Sequence, residues 1–209
     1  MKLLSRAEVL QVLENSPAGD NTKFLRAADS LWFRFHNYEK TPPIALEDDG
    51  IVSMIFATFN RDGYTNLYEI VTVQGKEGKG YASRVWDEYL KYAVDEKGST
   101  RLKISCTPSS LGWHVRNGLI FWSVDPSGSI RSDQPIFRTR QEQCIYRDQA
   151  IKDPANHLPP PKQVDKFLAE DWSGFGPKKK IRTQEAIDSL GSYWLRPYMK
   201  KMDLSAFFA

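Results

Sequence analysis

The sequence predicts a mixed α/β (α+β) fold: a central, mostly antiparallel sheet with one parallel pair of strands, helices packed on it, and a helical C-terminal extension. Three observations predict it. Short apolar strands alternate with Asp-Gly turns, which is the pattern of an antiparallel meander. One strand leads through a glycine-rich turn into a long amphipathic stretch and then another strand, and that helical crossover requires a parallel pair. Proline-rich and basic residues follow, where neither helix nor central strand can run on.

The elements follow in order. Ser5 to Asn15 carries apolar residues at helical spacing (Ala7, Val9, Leu10, Val12, Leu13), with Ser5 and Glu8 forming a capping-box signature. Pro17-Ala18-Gly19-Asp20 ends that helix. A second helix is expected from about Thr22 to Phe35, followed by Tyr38; its aromatic cluster (Trp32, Phe33, Phe35, Tyr38) reads mostly as core. Strands are expected at Ile44 to Glu47, Ile51 to Phe59 and Thr65 to Val73, joined by Asp48-Asp49-Gly50 and Asn60-Arg61-Asp62-Gly63. A helix from about Gly80 to Glu96 places Val85, Trp86, Tyr89, Leu90 and Ala93 on one face and stops at Lys97-Gly98-Ser99. Arg101 to Cys106 reads as a strand, and Leu111 to Asn117 as a short helix capped by Ser109 or Ser110. Leu119 to Val124 reads as a strand, Asp125-Pro126-Ser127-Gly128 as a turn, and Ile136–Thr139 and Gln143–Arg147 as weaker strands. The run Asp153 to Pro161 is expected to be an extended strap. A short helix (Val164 to Glu170) and a terminal helix (Thr183 to Met202) complete the extension, the latter with Trp194 and Tyr198 four apart and able to dock on the body.

Composition bounds the function. With 209 residues, the chain is expected to form one main domain, residues 1–150, plus an extension, residues 151–209. Hydrophobic residues are 41%, enough for a core, and no apolar run reaches membrane-spanning length. The first residues soon turn charged and lack a signal-peptide stretch, so a cytoplasmic location is expected. Cys106 and Cys144 make no disulfide framework, and three scattered histidines make no zinc site. Residues 151–209 hold 10 Lys and Arg against 7 Asp and Glu, so the whole excess of +3 sits there. Either a solvated tail or an anionic partner accounts for that.

The glycine-rich turn is the chemical centre of the sequence. It runs from the strand Glu69-Ile70-Val71-Thr72-Val73 through Gln74-Gly75-Lys76-Glu77-Gly78-Lys79-Gly80 into Tyr81-Ala82-Ser83-Arg84. At a helix start the backbone N–H groups are unpaired and the dipole is positive. Glycines let that backbone approach an anion closely, so the turn suits a pyrophosphate.

These residues resemble the GNAT acyltransferase superfamily. Its cofactor loop, Arg/Gln-x-x-Gly-x-Gly/Ala, is met by Glu77-Gly78-Lys79-Gly80-Tyr81-Ala82, with Glu77 in place of the Arg or Gln. A second landmark, small-x-x-Phe-Tyr-x-x-x-Gly-Phe, is met by Ser110-Leu111-Gly112-Trp113-His114-Val115-Arg116-Asn117-Gly118-Leu119. The resemblance covers roughly residues 44–125. It implies a GNAT-like fold and transfer of an acyl group, by default acetyl, from coenzyme A to an amine. It also implies that Gly78, Lys79, Gly80, Tyr81 and Ala82 hold the diphosphate. Thr72 and Val73, on a strand splayed from its parallel neighbour, would pair with the pantetheine arm, and Thr107 would add a hydroxyl. His114 stands where the family often has a tyrosine that protonates the leaving thiolate, and histidine suits that task near neutral pH. Glu69, in an otherwise apolar strand, is the candidate base: half-buried, its pKa would rise, whereas on an exposed edge it would stay ordinary.

The acceptor stays open among free amines, a protein lysine or N-terminus, and a nucleobase amine. Lys178, Lys179, Lys180 and Arg182, among Trp172, Phe175 and Trp194, mix charge with stackable rings and form a candidate nucleic-acid contact. The alternative is a non-catalytic GNAT-like module binding nucleic acid or a protein partner, which an acid at position 77 favours.

Overall fold

Strands of residues 44–72, with Lys2–Leu3 at their edge, pair as a four-strand antiparallel ladder, and the glycine turn and Glu69 both hang from it. The computed structural model describes residues 1–121, 123–124, 129–157, 185–186 and 188–189. Two units of tertiary contact divide them: Met1–Lys103 with Pro135–Arg140, and Ile104–Gln134 with Gln141–Ala209.

In the first unit, β1 (Lys2–Leu3), β2 (Ile44–Glu47), β3 (Ile51–Phe59) and β4 (Tyr64–Thr72) lie side by side in that order. Adjacent strands pair antiparallel. Asp49 and Gly50 both adopt positive φ in the β2–β3 turn, as a tight Asp-Gly hairpin requires. The start of β5 (Arg101–Cys106) joins beside β4, where the N–H of Arg101 donates to the Gly63 carbonyl over 3.1 Å, and these two strands are the sheet's parallel pair. The crossover between them is α4 (Tyr81–Lys91), extended by a π-helical turn over Tyr92–Glu96. Val85, Trp86, Tyr89, Leu90 and Ala93 are all buried, as their spacing demands.

The other helices of this unit cover the opposite sheet face. α1 (Arg6–Asn15) begins with the expected capping box: Glu8 N–H donates to Ser5 Oγ, and Ser5 N–H donates back to Glu8 at 2.8 Å. α2 (Asp20–Arg34) follows, then a single turn, α3 (Asn37–Lys40). Leu4, Val9, Leu25, Trp32, Met54, Phe56 and Val71 form one core cluster there. Trp32 is its anchor, with its indole N–H donating to the Thr41 carbonyl at 2.8 Å. The aromatic cluster splits, however. Trp32 is fully buried, while Phe33 and Phe35 are 53% and 56% exposed. A helix turns 100° per residue, so Phe33 cannot share the buried face of its neighbour Trp32, and Phe35 lies past the last helical residue as the C-cap of α2.

The second unit contains the end of β5, then α5 (Pro108–Arg116), β6 (Ser123–Val124), β7 (Ile130–Pro135) and α6 (Arg140–Lys152), with strand order β5-β7-β6. Several expectations are corrected here. Thr107, not Ser109 or Ser110, is the N-cap of α5, and Pro108 takes the first helical position. Leu119 to Phe121 are buried but not in a strand; only Ser123–Val124 are. The strands expected at Ile136–Thr139 and Gln143–Arg147 are absent: β7 lies earlier, and Gln143–Arg147 belong to α6. Helical spacing puts Gln143 and Ala150 on its buried side, and polar residues in that stripe masked the pattern. Residues Pro154–His157 form a helical turn rather than extended strap. The turn at Asp125-Pro126-Ser127-Gly128, the rest of the strap, the helix expected at Val164 to Glu170 and the basic run lie outside the described residues, as does most of the terminal helix.

Candidate active site

Three glycines shape the turn between β4 and α4. Gly75, Gly78 and Gly80 have φ of 84°, 77° and 76°, a left-handed conformation that side chains disfavour. A Cβ built at any of the three would meet nothing within 4 Å, so the turn faces open space. Gly80 is the N-cap of α4 and brings no capping side chain. The amides of Ser83 and Arg84 donate to the Gly80 carbonyl. Among the described residues, no hydrogen bond occupies the amides of Gly78, Lys79, Gly80, Tyr81 or Ala82. Unpaired donors at a positive helix end, on glycines that leave room, suit the close approach of an anion. The Tyr81 side chain is used elsewhere: its hydroxyl bonds Asp48, which also pairs with Arg84 at 3.3 Å.

Glu77 has a partner of its own. Asn21 Nδ2 donates to its carboxylate at 2.6 Å, while the Asn21 backbone N–H donates to Gln74 Oε1 at 3.1 Å. Gln74 thus caps α2, whose N-cap Gly19 offers no side chain. A Cβ on Gly19 would collide with the Gln74 amide. The start of α2 is therefore latched to the turn from both sides. Nothing local in the sequence announces this, because the partners are more than 50 residues apart.

On β4 the pairing register slips between Phe56 and Ala57, so that Phe56 faces Glu69 while Ala57 faces Leu67. Tyr68 is the extra residue of a β-bulge. Glu69 shares the sheet face of its cross-strand partner Phe56, the face covered by α2. The Trp32 ring stands 5.3 Å from Phe56 and 5.4 Å from Tyr68, edge to face. Half-buried beside these rings, the Glu69 carboxyl is pushed up to about 7 by desolvation, and a hydrogen bond from the Ile70 N–H only partly offsets this. Past Tyr68 a groove of about 340 Å³ opens, lined by Leu31, Trp32, Phe35, Asn37, Thr58 and Tyr68. The bulge has no signature in the sequence, because one extra residue in a strand leaves no compositional mark.

Thr72 and Val73 differ in what they offer. The Val73 N–H donates to the Val52 carbonyl, and its own carbonyl accepts from Lys76, both at 2.9 Å. The Val73 N–H is thus engaged within the fold, which leaves only a second lone pair of its carbonyl for the expected pairing with a pantetheine arm. Main-chain groups alternate sides along a strand, so those of Thr72 point away from β3. The Thr72 hydroxyl lies 3.4 Å from Ser53 Oγ.

Thr107 and His114 belong to the second unit, in α5. Thr107 is exposed, with its hydroxyl 2.9 Å from Ser109 Oγ. His114 is buried, 5.9 Å from the Phe121 ring, and its Nδ1 has no hydrogen-bond partner. Burial pulls its pKa down to about 4. The imidazole is then neutral near pH 7, which argues against the expected role in protonating the thiolate. Gly118, of the same landmark, has a steric reason to be glycine: a Cβ there would stand 2.6 Å from the Gln143 backbone carbon of α6. Burial also pushes the Cys106 thiol up to about 12, which makes it inert. Lys178, Lys179, Lys180 and Arg182 lie outside the described residues. Among the described residues no cluster suits a metal ion, and no helix is long and apolar enough to cross a membrane.

Comparison with known proteins agrees with this geometry. The model of the acetyltransferase (GNAT) family matches residues 8–118, more than half of the chain, and the chain belongs to that family. Among solved structures it is similar to a chimeric spermidine N-acetyltransferase from Vibrio cholerae, with 11% identity, a TM-score of 0.50, and coverage of 68% of this chain and 95% of that one. It is also similar to a ribosomal-protein-alanine N-acetyltransferase from Brucella melitensis, at 14% identity, a TM-score of 0.48, and coverage of 65% and 98%. At 11% identity the first likeness bears on the fold alone. No curated protein matches the chain in sequence.

Proposed function

We propose that the protein is an N-acetyltransferase that moves the acetyl group of acetyl-CoA to an amine. The observation that carries this reading is the open turn of Gly78 to Ala82, with unoccupied amides at the start of α4, at the family's cofactor position. Those five residues would hold the diphosphate, while the outward main chain of Thr72 would hold the arm. Bound acetyl-CoA supplies an activated acyl carbon.

Glu69 does the proton chemistry. An ammonium cannot attack, so its proton must leave first, and a carboxylate titrating near 7 takes it at neutral pH, directly or through water. The new N–C bond forms as the C–S bond breaks; the electron pair leaves with sulfur, the nitrogen sheds its second surplus proton to solvent, and the thiolate takes up one from solvent. We assign no proton transfer to His114, since its burial argues against one.

The alternative, a binding module without catalysis, rested on the acid at position 77. Its carboxylate is engaged by Asn21, which weakens that argument. Calorimetry with acetyl-CoA separates the two readings: binding that Gly80→Asp abolishes is expected, and no heat at millimolar acetyl-CoA would sink the enzyme.

A further inference from the structure

The groove bordered by Tyr68, the chain neighbour of Glu69, has a chemistry that selects among amines. None of its six lining residues is charged, and three of them are rings: Trp32, Phe35 and Tyr68. Asn37 and Thr58 add neutral polar groups. A cation flanks the rim, because the Arg34 guanidinium lies 5.8 Å from the Phe35 ring centroid, while the Asp29 carboxylate of the same helix is already held by Arg6 and Tyr38. The β-bulge turns Tyr68 and Glu69 to the α2 side of the sheet, so the aromatic wall and the base meet there. Glu69 thus offers one carboxylate for one ammonium.

We propose that the acceptor is a small monoamine whose body is an aromatic ring, and that polyamines are poor acceptors. The inference rests on the acetyltransferase reading and adds the acceptor class. A flat ring slots between Trp32, Phe35 and Tyr68, where offset and edge-to-face contacts are favourable. Its single ammonium reaches the Glu69 carboxylate, which neutralises it and then takes its proton. A polyamine would carry further charges into a groove with no carboxylate for them, past Arg34, and buried charges need partners.

Tryptamine and spermidine serve as probes. Transfer by the full chain is followed as free thiol released from acetyl-CoA, after calorimetry has established that acetyl-CoA binds. The kcat/KM for tryptamine is expected to exceed that for spermidine roughly tenfold or more. Phe35→Ala and Tyr68→Ala alter side chains 56% and 50% exposed, so the fold tolerates them. Both are expected to raise the tryptamine KM several-fold and leave acetyl-CoA affinity unchanged. Leu31→Glu is expected to shift preference toward spermidine. A preference for spermidine in the unaltered chain, no tryptamine acetylation by a chain that binds acetyl-CoA, or an unmoved KM in both alanine variants would overturn the inference. Absence of acetyl-CoA binding would instead remove the acetyltransferase reading beneath it.

Discussion

Burial makes Glu69 stabilise the folded chain when protonated, while the proposed reaction would use it ionised. Its pKa stands at about 7 in the fold against 4.5 for an ordinary glutamate. The stability from the neutral form is full below pH 4.5 and is lost as pH rises through about 7. Glu69→Gln keeps the shape without the charge. It is expected to abolish most turnover yet raise stability at pH 8 by on the order of 3 kcal/mol, with no gain at pH 4. Urea unfolding at both pH values checks this, and equal stability at pH 8 would mean the carboxylate is better solvated than its surroundings imply. In the unaltered enzyme, kcat/KM should fall below pH 7 along a single-proton limb. Gly80 makes a second residue-scale case. With φ at 76°, alanine there costs about 1 kcal/mol, and it also crowds the diphosphate seat. Gly80→Asp adds a charge of the wrong sign and should weaken acetyl-CoA binding further than Gly80→Ala, as titration calorimetry would report.

Among elements, α2 has the most to do. Its start is latched to the glycine turn through Asn21, Gln74 and Glu77, and its far end supplies Leu31 and Trp32 to the groove. Glu77→Ala should therefore weaken acetyl-CoA binding, because the turn loses an anchor, and Asn21→Ala should act in the same direction. A carboxylate that merely repelled the diphosphate would give tighter binding on removal, so the sign of the change decides. In the second unit, α6 packs against the end of α5. Arg147 donates to the Val115 carbonyl at 2.6 Å, and Gly118 meets Gln143 backbone to backbone. Gly118→Ala is expected to cost about 3 kcal/mol by overpacking and strained φ, read as a lowered urea midpoint. That landmark glycine is legible in the sequence as a motif. Its reason is not, since α6 itself was misread from a run rich in Gln and Arg.

At the scale of the whole molecule, family membership reaches from residue 8 to 118, while the net charge sits beyond residue 150. The two features are separable by experiment. Replacing Lys178, Lys179, Lys180 and Arg182 with glutamine in the full chain should leave acetyl-CoA affinity unchanged. If nucleic acid is held through them, its binding at low salt should drop and the salt slope should shrink by about 4. The sequence by itself determined the helix capped by Ser5 and Glu8, the Asp49-Gly50 hairpin, the strands Ile44–Glu47, Ile51–Phe59 and Arg101–Cys106, and the glycine turn. Each depends on hydrogen bonds or periodicities within a few residues, so composition and spacing suffice. Only the tertiary structure decided that Glu69 is half-buried beside Trp32, that His114 is neutral in a core, that Phe35 lines a groove, and that Glu77 answers to Asn21. Those properties are set by what a side chain faces across the fold, and a neighbour 50 residues away leaves no local trace.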